Sequence, residues 1–111
     1  MASRTPEMAR FDVYPNPDVQ ERDLIPFFLD VQSDHVQGLE TRVVVPMWKS
    51  SLLVARANDL NPEFEVGGQR MVMDTPALAA VPISALRKPI HNLSSQQLPI
   101  QNALDILFGA Y

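Results

Sequence analysis

From residue 9 onward the chain is a succession of short apolar segments separated by turn residues, with β-branched and aromatic positions set between nine prolines and four glycines. That is the punctuation of strands. Phe11 to Tyr14 alternates and stops at Pro15-Asn16-Pro17-Asp18, while Pro26 to Gln32 carries Phe27, Phe28, Leu29 and Val31 before the polar Ser33-Asp34. Each proline marks an edge or an end, because it has no N–H to donate to a ladder. Arg42-Val43-Val44-Val45 is a β-branched run closed by Pro46. Its unbroken apolarity fits a strand covered on both faces, at the centre of the sheet. Phe64-Glu65-Val66, Gly67-Gly68 and then Gln69 to Met73 predict a hairpin, since Gly-Gly supplies the positive φ values of a tight two-residue turn. A further short strand is expected at Leu78 to Val81, closed by Pro82.

One helix is expected, at the C-terminus. Ile100, Ala103, Leu104, Leu107 and Phe108 fall at i, i+3, i+4, i+7 and i+8 and form one apolar stripe, leaving Gln101, Asn102 and Asp105 on the other side. Its start has two readings. Ser94 and Gln97 have capping-box spacing, but Pro99 would then sit in the first turns. Either the helix begins at Pro99, or it begins near Ser95 with a distorted first turn. Strands followed by one terminal helix define an α+β domain, a small antiparallel sheet or barrel with the helix packed against it. Residues 1 to 7 are polar and precede a second methionine, so they read as an N-terminal extension to a single domain spanning 8 to 111.

Composition narrows the functions open to such a domain. The 111 residues are 46% hydrophobic and 20% charged, which suits one small folded core. The net charge is -4, and the basic residues are scattered from Arg4 to Lys88 apart from Arg87-Lys88. Direct nucleic-acid binding is therefore not expected, because phosphate contact needs clustered Lys and Arg. With no cysteine there is no disulfide, thiolate nucleophile or cysteine-ligated zinc. No apolar run approaches the length of a membrane span and the N-terminus lacks a signal-peptide core.

Candidate chemistry is sparse. His35 and His91 have no metal-ligand spacing. Asp30, Asp34 and Asp74 are not brought together by spacing and read as solvated loop or strand-end carboxylates. Trp48, just beyond the central run, reads as a cover for a barrel end. No catalytic residue, metal or cofactor is expected. The terminal Phe108-Gly109-Ala110-Tyr111 is different: a helix that stops before glycine and ends in an aromatic can present that aromatic to a partner, or simply fray.

Together these segments resemble the CcdB toxin family along nearly the whole chain from Met8 to Phe108. Phe11-Asp12-Val13-Tyr14 is similar to the family's first strand, and Leu29-Asp30-Val31-Gln32-Ser33-Asp34 to its most recognisable motif. Arg42 to Pro46 is similar to the next strand. The stretches Val66 to Met73 and Thr75 to Pro82 resemble the hairpin and closing strand, and Asn102-Ala103 and Phe108 the terminal helix. The resemblance implies a sheet with a smaller side sheet, a C-terminal helix and a symmetric homodimer with the two helices side by side. It also implies a toxin that binds the A subunit of DNA gyrase and is neutralised by a cognate CcdA-like antitoxin with a disordered segment. Together with the lack of a membrane-span run and of a signal-peptide core, the resemblance leads to an expected cytoplasmic location.

By the same resemblance the gyrase contacts fall on His35, Val36, Asp105, Phe108, Gly109, Ala110 and Tyr111. Here the chain departs from the family pattern. Its best-known members end in Trp-Gly-Ile after the phenylalanine, with the tryptophan stacked on a gyrase arginine, whereas this chain ends in Gly109-Ala110-Tyr111. Two loop isoleucines are replaced by His35 and Val36, and a helix asparagine by Asp105. An aromatic over a guanidinium is worth roughly 0.5–2 kcal/mol, and Tyr111 is the aromatic left beyond the helix to supply it. Two alternatives stand beside this reading. One is a divergent member that has changed or lost the gyrase target; the other is an mRNA endoribonuclease of the related MazF and Kid kind, which would need a basic groove.

Overall fold

The computed structural model describes residues 8–53, 57 and 59–110. Among them are the strands β1 (Asp12–Pro15), β2 (Phe27–Asp30), β3 (Thr41–Lys49), β4 (Glu63–Val66), β5 (Gln69–Met73), β6 (Ala79–Pro82) and β7 (His91–Asn92), followed by the helix α1 (Gln97–Phe108). All pairings are antiparallel. The order is β4-β5-β3-β2-β1-β7, with β6 on β3 off this path. The two ends of the path curl towards one another. Glu63 and Glu65 of β4 and His91 of β7 line one cleft of about 400 Å³, so the sheet is nearly closed, as the α+β barrel-like reading requires.

The Val43-Val44-Val45 run is indeed central, because β3 pairs with β2, β5 and β6. Its end differs from the expectation: the strand runs through Pro46 to Lys49 and includes Trp48. The topology explains the exception. β3 pairs with β6 from Thr41 to Val44 and with β5 from Met47 to Lys49, so Pro46 lies where the partner changes. Its carbonyl accepts from the Asp74 N–H at 2.9 Å on that side. In an extended strand N–H and C=O of one residue point the same way. The missing N–H therefore faces the junction and costs no ladder bond to β2.

The Gly-Gly hairpin forms as the sequence pattern predicts. Gly67 and Gly68 have φ of 58° and 80°, and Val66 pairs with Gln69 across the two-residue loop. Along β4 the charged Glu63 and Glu65 point outward and Phe64 and Val66 inward. Elsewhere the boundaries shift. Phe11 precedes β1 instead of opening it, with a φ of 73°. The closing strand is Ala79–Pro82, and the two-residue β7 has no counterpart in the sequence reading.

The core occupies the sheet face on which α1 sits. Val13, Leu29, Val45, Met47, Phe64, Val66, Met71 and Met73 pack there with Leu93, Ile100, Ala103 and Leu104. On the opposite face Tyr14, Val44 and Leu86 gather a smaller cluster with Met8, Phe28 and Val81, which is why the valine run is apolar throughout. Of the two readings of the helix start, the structure takes the second. A 3-10 turn, Ser94–Gln96, leads into α1, and Pro99 is its third residue, where the N–H has no intrahelical acceptor in any case. No side chain caps this end, so the Ser94/Gln97 capping box does not form. The stripe also needs one correction: Ile100, Ala103 and Leu104 are buried and Leu107 half-buried, but Phe108 is 70% exposed. It is the last residue of α1.

Candidate partner-binding surface

The seven residues singled out from the sequence fall on two segments, the β2–β3 connection and the end of α1. His35 and Val36 are exposed on the first. Their backbone is fixed from behind by a buried ion pair. The Arg42 guanidinium grips the Asp30 carboxylate with Nε to Oδ2 at 2.7 Å and Nη2 to Oδ1 at 3.0 Å, and both residues are inaccessible. Asp30 Oδ1 also accepts from the Gln32 N–H at 3.0 Å, and Gln32 Nε2 donates to the Val36 carbonyl at 2.9 Å. Further out, the Ser33 hydroxyl oxygen accepts from His35 N–H at 3.2 Å, and the Val36 N–H donates to the Ser33 carbonyl at 3.0 Å. The loop is thus held as a tight turn with its two candidate contact side chains outward.

This corrects the reading of Asp30 as a solvated carboxylate. Its partner lies on the adjacent strand, and no local pattern links the two residues. The available signal was a charged residue at each of two otherwise apolar strand segments, Leu29-Asp30-Val31 and Arg42-Val43-Val44. Burial raises the Asp30 pKa above the ordinary carboxylate value, by more than the Arg42 guanidinium and the Gln32 N–H lower it. Burial also raises that of Tyr14, helped by the neighbouring Asp12 and Asp30 carboxylates. Asp34 is exposed and accepts from the Arg10 backbone N–H at 2.7 Å; Asp74 accepts from Trp48 Nε1 at 3.0 Å. The three aspartates thus stand apart.

At the other segment the helix is stopped by Gly109, whose φ of 74° places it in the left-handed region. Gly109 N–H donates to the Ile106 carbonyl at 3.3 Å and Ala110 N–H to that of Asp105 at 2.9 Å, the paired bonds of a Schellman stop. Phe108, Gly109 and Ala110 are exposed, and Tyr111 lies outside the described residues. Asp105 is half-buried, with Oδ1 accepting from Gln101 Nε2 at 2.9 Å. The two segments do not form one patch within the chain. His35 shares a cavity of about 320 Å³ with Ser94 and Gln97 at the start of the helix. Phe108 is eleven residues further along α1, roughly 16 Å at 1.5 Å per residue.

Among the described residues no three His, Cys, Asp or Glu side chains gather as metal ligands would, and no helix is long and apolar enough to cross a membrane. Fold and surface together define a class: a nearly closed antiparallel sheet with one terminal helix, exposing a braced loop and a helix end. A model of the CcdB protein family matches residues 10–109. The chain belongs to the CcdB family.

Proposed function

We propose that the protein is the toxin of a type II toxin–antitoxin system, and that it binds the A subunit of DNA gyrase without chemistry of its own. Family membership supports the general reading. The observation that carries the specific one is Phe108, a large apolar side chain 70% exposed at the end of a helix whose other stripe residues are covered. Burying the exposed part of such a side chain is worth about 1–2 kcal/mol. The Schellman stop fixes the direction in which it projects, so little entropy is lost when a partner covers it. His35, Val36, Asp105, Gly109, Ala110 and Tyr111 complete the proposed gyrase contact. The domain is taken as residues 8–111, acting in the cytoplasm where gyrase works.

A symmetric homodimer fits the same surface. Leu98, Asn102 and Ile106 follow one another at i, i+4 and i+8 along the outward side of α1, and Leu98 is 81% exposed. Two copies packed along this stripe would offer one gyrase dimer two loops and two helix ends. A CcdA-like antitoxin with a disordered segment would then neutralise the toxin by wrapping a surface that includes these ends. The nuclease alternative, which needs a basic groove, loses support, since Arg42 is buried against Asp30. Arg56 lies outside the described residues, and Arg70 stands opposite Glu65 on the hairpin.

The test is calorimetric titration of the protein into the gyrase A dimerisation domain, beside a chain truncated after Phe108. Binding that weakens on truncation supports Gly109-Ala110-Tyr111 as a working substitute for the Trp-Gly-Ile tail. Absence of binding by the full chain refutes the gyrase assignment and favours a family member with another target.

A further inference from the structure

We infer that Arg10 is a positioning residue that ties the 33–37 loop to helix α1, so that the two proposed contact segments present themselves as one rigid unit. Its side chain spans the gap between them. Nε donates to the Val31 carbonyl at 3.0 Å, at the root of the loop, and Nη2 donates to Gln101 Oε1 at 2.8 Å on the helix. Gln101 in turn donates to Asp105, a proposed contact residue one turn further on. The Arg10 backbone completes the junction. Its N–H donates to Asp34 Oδ1 at 2.7 Å, and its carbonyl accepts from Asn92 Nδ2 at 3.2 Å.

The route from Asp34 to Asp105 therefore runs through one residue that belongs to neither segment. The local backbone is shaped for this. A turn from Ala9 to Asp12, closed by Asp12 N–H to the Ala9 carbonyl at 3.1 Å, places Phe11 in the left-handed region with φ at 73°. That conformation is costly for a residue with a Cβ and persists only where surrounding bonds impose it. Here Phe11 N–H donates to the Asp30 carbonyl at 2.6 Å, and the Leu93 N–H donates to the Phe11 carbonyl at 2.9 Å. The turn sends Arg10 back across the Phe11 ring, its guanidinium carbon 4.7 Å from the ring centroid, towards Gln101. Two acceptors on separate elements suit the wide planar fork of arginine. A lysine is a point charge and cannot hold both at once.

Arg10→Met and Arg10→Lys keep the backbone bonds to Asp34 and Asn92 and remove only the side-chain bridge. Gln101→Met cuts the helix side of the bridge together with the Gln101–Asp105 bond, leaves Arg10 on Val31, and serves if either Arg10 variant folds poorly. Two readouts are taken: amide hydrogen exchange over 33–37 in the toxin by itself, and calorimetric binding to the gyrase A dimerisation domain. The second rests on the gyrase reading proposed above; the first does not. The expected result is exchange faster by about tenfold over 33–37 in both Arg10 variants, a smaller rise in Gln101→Met, and gyrase binding weaker by about tenfold. Wild-type exchange in Arg10→Lys would overturn the proposal, since charge alone would then suffice. Weaker binding with unchanged exchange would also overturn it, by making Arg10 a direct contact. If the wild-type toxin binds no gyrase, the gyrase reading fails and the exchange data alone decide the role of Arg10.

Discussion

Replacing Arg42 by methionine tests the account of how the proposed contact loop is held. The wild-type guanidinium makes two charged bonds to a carboxylate that is 0% exposed, and also lies 3.4 Å from the Val36 carbonyl and 3.5 Å from that of Gln32. Arg42→Met leaves the Asp30 charge buried with only the Gln32 N–H, and breaking one side of such a pair costs about 3–5 kcal/mol. For 111 residues the unfolding entropy is about 0.23 kcal/mol/K, so the melting temperature falls by about 13–21 °C. A pH dependence follows with a definite sign. Burial already raises the Asp30 pKa, and removing the guanidinium raises it further. A carboxylate with a raised folded-state pKa contributes stability that is present below its unfolded value of about 3.9 and is lost as pH rises through the folded value. Arg42→Met is therefore more damaged at higher pH than at lower pH. The double variant Asp30→Leu with Arg42→Met removes the stranded charge and recovers much of the loss, with a coupling of about 2–3 kcal/mol. The assay is urea unfolding of the wild type, Arg42→Met, Asp30→Leu and the double variant at fixed concentration and several pH values. A loss below about 1 kcal/mol in Arg42→Met, independent of pH, would refute the argument, because the pair would then behave as an exposed one.

Three further outcomes are expected. Tyr14→Phe flattens the alkaline limb of the stability curve. Above about pH 10 the unfolded phenol ionises while the buried one keeps its proton, so wild-type stability falls there and the variant's falls less, as denaturant unfolding measures. Gly109→Ala costs about 1–2 kcal/mol in thermal unfolding, from the φ of 74° alone, because an added Cβ meets nothing within 4 Å. Phe108→Ala changes stability by less than about 0.5 kcal/mol, as the side chain is 70% exposed, yet weakens gyrase binding by about tenfold or more. A large stability loss in the last variant would place Phe108 in the core or in an obligate dimer interface.

The parts of the fold legible in the sequence are those set by local pattern. The valine run marked the central strand, Gly67-Gly68 the hairpin, and the 3.6-residue spacing of Ile100, Ala103 and Leu104 the buried side of the helix. What stayed hidden depends on partners distant along the chain. Pro46 sits inside a strand because β3 exchanges β6 for β5 there, a fact of topology that no window around Pro46 contains. The Asp30–Arg42 pair joins neighbouring strands across a loop, so Asp30 read as a solvated carboxylate and Arg42 only as the start of the central run. β7 is two residues long and exists only because β1 offers it an edge. Phe108 fits the helical stripe by spacing and yet is exposed, as the last residue of α1. Of the candidate site, residue types were legible and their arrangement was not. His35 lies on the β2–β3 connection beside the start of α1 and Phe108 at its end, and Arg10 reaches the helix at Gln101.

This arrangement separates what holds the fold from what is proposed to meet a partner. The residues that pin the loop, Asp30, Gln32 and Arg42, point inward or along the backbone, while His35 and Val36 point out and make no contribution to the core. At the helix end the Schellman bonds are backbone to backbone, so Phe108 and Ala110 can change without altering the stop as long as Gly109 keeps its positive φ. The contact side chains are therefore free to vary while the scaffold that aims them is not. A family member can carry His35-Val36 and Gly109-Ala110-Tyr111 at these positions on an unaltered fold, and a change of target affinity, or of target, requires no change in the core. The reciprocal holds for Arg10: its side-chain hydrogen bonds go to Val31 and Gln101, neither a proposed contact residue, so its effect on binding is expected to pass through the loop and helix it joins, which is the distinction that exchange and calorimetry together resolve.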